Sequence, residues 1–503
     1  MTSLLLAFLF TRGSHETPDV LANVRHAISI TSGGPSWSET VLTGHAVLNG
    51  VDGQYTLRFR PEGPFYQAIQ GPLGETYGSD GKTFWQIDRT GASRRLAFED
   101  VDRTEALILV LTDRWLDPNT HGNATVLRQE PGQSDYRIHI KPRGTGLDET
   151  VTVDPTTWLP TSAEFEIASS KTIVELSDWR TAGGIKLPCQ ASVTNEGLTD
   201  TFKVESIAAG NDQNLSIYSP SDTNPTDISF DAGRSTAVEA KRADTGHVLV
   251  HPLVNGKDIG WFILDSGAES MVIDPVAADL LNLPKVGKEA VVGVGGAVQE
   301  PFRTADRFVL GPAVMKGVTF VEIDLHELSN IFKVKLSGIV GYDFFRRFIV
   351  ELSLSKQTVS IQNVVTYRLP SGSWSKILFS TGNPAVQATF EGDHQDWFRL
   401  DTGANGSVTF HAPAVERLHL LDNRQTTPAN MAGVGGMTEA RIGKIAWFEL
   451  GGHRFEKVEA TFSTAKSGAF ADKYLAGNIG QDLMEPFTVV FDFGGSRVAF
   501  LPN

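Results

Sequence analysis

The sequence predicts a mainly β protein, with an α+β, many-stranded N-terminal part followed by two copies of one β-rich lobe. Three observations lead there. Strand-period alternation with turn signals runs to about residue 210. A polar stretch rich in Asp, Ser, Asn and Thr then interrupts the apolar periodicity. Beyond it, the same blocks of sequence occur twice in the same order.

A chain of 503 residues is long enough for several ordinary cores. It carries 44 Lys and Arg against 59 Asp and Glu, a formal charge of −15, which disfavours nucleic acid as a partner. The single cysteine, Cys189, allows no internal disulfide and no Cys-rich metal site. No H-E-x-x-H pattern occurs, and neither a metal nor a cofactor is expected. The opening "MTSLLLAFLFTRG" has an apolar run from Leu4 to Phe10, too short to cross a bilayer. Residues 1–14 have the length of a signal-like segment but lack a basic start and an A-x-A site, so export and a buried N-terminal element both stay open. No other run is suited to spanning a membrane.

The elements follow in order. "ETPDVLANVRHAISI" predicts a helix capped by Thr17, with Pro18 in its first turn and Val20, Val24, Ala27 and Ile28 on one face. In "QYTLRFR", Tyr55, Leu57 and Phe59 alternate with polar residues as a half-buried strand requires. "SDGKTFWQIDRTG" predicts two short strands about a turn at Asp80-Gly81, and residues 104–116 predict a second helix. "DYRIHIK", "ETVTVDP", "AEFEI" and "IKLPCQASV" continue the sheet. Residues 211–243 read as a linker.

The repeat begins after that. "NGKDIGWFILDSGAESMV" (255–272) aligns without a gap on "EGDHQDWFRLDTGANGSV" (391–408), 136 residues later. A predicted helix follows in each copy (273–283 and 410–420), then "GVGG" at 293–296 and at 433–436, and finally "SGIVGYDFF" (337–345) against "AGNIGQDLM" (476–484). Asp265 and Asp401 each end an apolar strand, a costly place for a charge unless it is paired or used. A third D-T-G, Asp244-Thr245-Gly246, has no apolar strand before it and reads as a turn. Asp343 and Asp482 suit capping or turn roles, Trp261 and Trp397 suit core packing, and His411 and His419 read as surface residues.

Two patterns of the N-terminal half, "DGKTFWQID" and "LSDWRTAGGIKLP", together with "VDPTTWLP" and the opening helix, resemble the lipoprotein-carrier-like half-barrels of bacterial envelopes over residues 15–210. That resemblance implies a concave sheet, a lipid or lipoprotein ligand and an extracytoplasmic (periplasmic or secreted) location. The repeated half, residues 244–365 and 366–503, resembles the pepsin and retropepsin group of aspartic peptidases in a single-chain, two-lobed β-barrel form. It implies an aspartic-type endopeptidase acting on peptide or protein, with catalytic Asp265 and Asp401. The runner-up is a non-catalytic protease-like module in an envelope protein that binds lipid or peptide.

Two carboxyls sharing one proton suit peptide hydrolysis, since one activates water while the other polarises the carbonyl and then serves as acid. Gly267 and Gly403 let backbone approach the carboxylates. By resemblance, Ser266 and Thr402 cross-link the two loops. Ala268 and Ala404 stand where acid-adapted relatives often have Ser, which predicts raised dyad pKa values and a mildly acidic to near-neutral optimum. Gly293, Val294, Gly295 and Gly296, with Gly433, Val434, Gly435 and Gly436, fit flap tips closing over the substrate. Three departures stand out: neither flap has a Tyr, Asn478 replaces an apolar residue behind Asp401, and Arg399 interrupts the apolar strand. Both lobes lie in one chain, so they are expected to pair with each other.

Overall fold

A computed structural model describes residues 19–28, 37–88, 91–116, 123–128, 132–142, 147–168, 170–210, 215–220, 225–293, 296–433 and 436–503. The signal-like segment 1–14, Thr17 and Pro18 lie outside the described residues, as do Val294, Gly295, Val434 and Gly435. No helix among the described residues is long and apolar enough to cross a membrane.

The protein is mainly β. Among the described residues, thirteen strands between Thr40 and Ala209 form one antiparallel sheet of two meanders, joined where the first strand, Thr40–Leu48, pairs with the last, Leu198–Ala209. Alternation places Tyr55, Leu57 and Phe59 in the core, and Asp80 Oδ1 closes the hairpin by accepting from the amides of Lys82 and Thr83. The helix Val20–Ile28 buries Val20, Val24 and Ile28 in this core, and Asp19 accepts from the Ala22 amide at its start. The second helix runs from Glu99 to Thr112, not 104–116. Its acidic first turn complements the helix N-terminus but reads as polar loop, and Asp113, at φ 53°, ends it before a short 3₁₀ turn at Arg114–Leu116.

The stretch expected as a linker carries structure in its described part. Ile228–Phe230 pairs with Ala313–Glu322, Ala237–Val238 with Thr358–Gln362, and Ala240–Arg242 with Val248–Val250. Buried Tyr218 accepts at its carbonyl from the Trp85 indole, tying the stretch to the N-terminal sheet. These strands are two or three residues long and border polar segments, so they show no period of their own.

The two repeats share one topology. In the first, Trp261–Leu264 runs parallel to Leu336–Val340, which is antiparallel to Val272–Ile273, itself parallel to Ala313–Glu322. In the second, His394–Leu400, Gly477–Ile479, Val408–Phe410 and Glu459–Ser463 reproduce each pairing and direction. The repeats meet in a shared sheet, where Ile349–Ser353 of the first pairs antiparallel with Phe487–Asp492 of the second. Flanking strands Thr358–Gln362 and Arg497–Pro502 complete a symmetric arrangement. Val350, Leu352, Val489 and Phe491 belong to one buried cluster spanning both repeats. Burial on this scale, at about 25 cal/mol per Å² of apolar area, makes the pairing a structural unit.

Candidate active site

Each of the two aspartates, Asp265 and Asp401, is delivered by a buried strand. Phe262 and Leu264, and equivalently Phe398 and Leu400, are fully buried. The Asp265 amide then donates to Val340 O at 3.0 Å, and the Asp401 amide to Ile479 O at 3.0 Å. The chain turns immediately afterwards. Gly267 donates to Asp265 Oδ1 at 2.8 Å and Gly403 to Asp401 Oδ1 at 2.9 Å.

The two loops are locked to one another by four reciprocal bonds. Ser266 N donates to Thr402 Oγ1 (2.9 Å) and Thr402 N to Ser266 Oγ (3.0 Å). The Ser266 hydroxyl donates to Leu400 O (2.8 Å) and the Thr402 hydroxyl to Leu264 O (3.0 Å). All are buried, so a missing partner would leave a desolvated group costing about 1–3 kcal/mol. A Cβ on Gly267 would stand 2.5 Å from Asp401 Oδ1, and one on Gly403 would stand 2.4 Å from Asp265 Oδ2. Only glycine fits beneath the opposite carboxylate. Ala268 O and Ala404 O accept from the amides of Tyr342 and Gln481, fixing each loop to the turn after its apolar-apolar-Gly segment.

Each carboxyl lies over the glycine of the opposite loop, which brings Asp401 close enough to Asp265 to act on its titration. Burial raises the pKa of Asp265 most, and the neighbouring Asp401 charge raises it further. The expectation from Ala268 and Ala404 has the same direction, but desolvation is the leading cause.

Polar residues to which the sequence reading gave no supporting role brace the second loop. Asn478 donates to Asp401 Oδ2 at 3.1 Å, and its carbonyl oxygen meets His411 Nε2 at 2.9 Å, which assigns the ring proton to Nε2. His411 was expected at the surface. It is fully buried, with Nδ1 3.8 Å from Asp472, and burial lowers its pKa. His419 is exposed. His247, just after the D-T-G at 244–246, meets Gly403 O at 2.8 Å, and Gln481 donates to Thr402 O. Asp244-Thr245-Gly246 forms a turn, and its Thr245 hydroxyl orients the His247 ring.

Asp343 and Asp482 lie in the first helical turns but are not N-caps, which are Gly341 and Gly480. They hold the loops beyond the glycines instead, Asp343 through the Met271 amide and Asp482 through Ser407. Trp261 is half-buried beneath Lys241 and against His251, and Trp397 is half-buried against Phe98 of the N-terminal part. The two Gly-rich hairpins pair up to Gly293 with Gly296 and Gly433 with Gly436.

The N-terminal part docks beside this site. Thr381 donates its amide to Asp100 and its hydroxyl to Glu269, four residues after Asp265. Ser380 bonds Glu99, Tyr474 donates to Asp102, and Arg346 donates to Ser93 O. On the first Gly-rich hairpin, the Lys288 amide donates to Asn49 O (2.9 Å) and Gln299 to Glu196 O (3.3 Å).

Residues 250–344 and 386–483, one span in each repeat, match the family model for aspartyl proteases. The repeated C-terminal region is therefore similar to that family, which supports an aspartic-type proteolytic function in general terms. A solved LolA superfamily protein from Nitrosomonas europaea is similar at 11% identity, over 40% of this chain and 96% of that one, with a TM-score of 0.28. No curated protein matches the chain.

Proposed function

We propose that the chain is an endopeptidase in which one water, held between Asp265 and Asp401, attacks the scissile carbonyl. The supporting observation is the buried carboxyl pair, carried on two loops locked by reciprocal bonds. Asp401 takes the base role, because Asn478 adds a side-chain donor to the backbone donor from Gly403. Asp265 takes the protonated role. It is deeply desolvated and accepts from the backbone of Gly267 and Gly403.

In the reaction Asp401 accepts a proton from water as the new C–O bond forms, while Asp265 donates a hydrogen bond to the carbonyl oxygen. Collapse of the tetrahedral intermediate breaks the C–N bond, and the amine leaves with a proton from the dyad. The pair titrates as a unit, so its two apparent pKa values belong to both residues. The flap hairpins cover the peptide and exclude bulk water, which strengthens each polar contact inside.

The test is cleavage of a mixed peptide library followed by mass spectrometry from pH 3 to 9. Expected is cleavage with a bell-shaped rate profile centred in the mildly acidic to near-neutral range. A maximum near pH 2 would contradict the proposed electrostatics, and cleavage of no peptide at any pH would contradict the proteolytic reading.

A further inference from the structure

A cavity of about 500 Å³ lies where the concave N-terminal sheet faces both repeats. Its wall includes Glu269 and Ser270, directly after the first catalytic loop, and Glu289 and Ala290 of the first flap strand. The second repeat contributes Arg399, two residues before Asp401, and Asp472. The N-terminal part closes it with residues of its sheet and with Glu99, Asp100 and Arg103 of its helix. One wall of this space is therefore continuous with the catalytic loops.

Its chemistry is one-sided. Nine carboxylates line it against three guanidiniums, and one of those, Arg94, is paired with Asp100 at 2.9 Å. Glu99 and Asp472 are 4% and 6% exposed, and each keeps one buried oxygen without a hydrogen-bond donor. Tyr342 Oη and Arg399 Nε are also unpartnered at the cavity wall. Buried acceptors without donors are rare in folded proteins and favour a ligand that supplies donors. Among the described residues no three His, Cys, Asp or Glu side chains are grouped to hold a metal ion, so an organic cation fits better. The hydroxyl of Tyr342 and the guanidinium of Arg399 suit the carbonyls of the same ligand.

We propose that this cavity is a recognition site for the peptide substrate, taking a Lys or Arg side chain, or a free amino terminus, on one side of the cleaved bond. The inference rests on the proteolytic reading. Arg399 stands about 7 Å along its strand from Asp401, and Glu269 at most about 14 Å of chain from Asp265. An extended peptide advances about 3.4 Å per residue, so the cationic group lies about two to four positions from the scissile bond. Burial and neighbouring charge raise the pKa of Glu99, and burial raises that of Glu269, so the cation would displace protons that these groups otherwise hold.

The experiment compares peptides of one sequence carrying Lys, Arg, Gln or norleucine at those positions, cleaved by the full chain and by Glu99→Gln and Asp472→Asn. Expected is kcat/KM about tenfold or more higher for Lys or Arg on one side, with the ratio falling toward one in each variant. The wild-type ratio alone decides the matter if a variant does not fold. Equal cleavage of basic and neutral peptides would overturn the site while leaving the proteolytic reading intact. So would capture of a phospholipid acyl chain from vesicles with no preference for basic peptides. Cleavage of no peptide would overturn both.

Discussion

At position 478 a side-chain amide stands where the first repeat has Ile339, and this one difference breaks the symmetry of two otherwise matched loops. Its N–H reaches Asp401 and its oxygen is held by His411. A hydrogen bond to a charged acceptor is worth about 1.5–3 kcal/mol, and it favours the ionised form. Replacing Asn478 by Ile removes that bond and makes the first proton of the dyad harder to lose. The acid limb of kcat/KM is then expected to move to higher pH by about one unit, with His411→Phe moving it the same way. An unchanged or lowered limb would show that Asn478 only fills space. The sequence displayed Asn478 as a departure. His411 was opaque, because a histidine flanked by Phe410 and Ala412 shows nothing about a partner 67 residues away.

At the scale of the element, the strand-turn pair "LDSGA" and "LDTGA" was legible because each constraint falls on a neighbouring residue. Apolar residues bury the strand, the hydroxyl crosses the axis, and glycine fits under the opposite acid. Thr402→Val keeps the shape but removes both an acceptor for Ser266 N and a donor to Leu264 O. It is expected to lower stability by about 1–3 kcal/mol for each buried group left unpaired. Chemical denaturation measures this, and a loss under about 0.5 kcal/mol would mean that the cross-bonds do not hold the loops. Less was legible where pairing is distant. Trp397 looked like core, yet its ring partner Phe98 belongs to the N-terminal part, 299 residues earlier. The short strands at 228–230, 237–238 and 240–242 borrow their order from longer strands that no local pattern indicates.

For the whole molecule, buried carboxyls of the N-terminal part and of the repeats set how stability varies with pH. Burial raises Glu105 to about 7 and also raises Glu99, Glu269, Asp200 and Asp227. Unfolded carboxyls titrate near pH 4. Between that pH and the raised native values the folded chain holds protons that the unfolded chain has lost. This contribution is full below about pH 4 and disappears as pH rises through about 7 for Glu105 and about 8 for Glu99. His247 and His411, lowered by burial, act oppositely: their contribution is present above about 6.5 and is lost as pH falls through their folded values. The carboxyls outnumber them, so Tm is expected to be higher near pH 5.5 than near pH 8. A Tm that rises across that interval would contradict the sign.

The central claim is that Asp265 and Asp401 act as one acid-base unit, and a double-mutant cycle measures this directly. Asp265→Asn, Asp401→Asn and the double variant are compared with the parent by kcat/KM on one peptide. Each single change is expected to cost about 10²–10⁴-fold, with the double variant no worse than the poorer single. Losses that multiply, or one single variant within tenfold of the parent, would contradict the account.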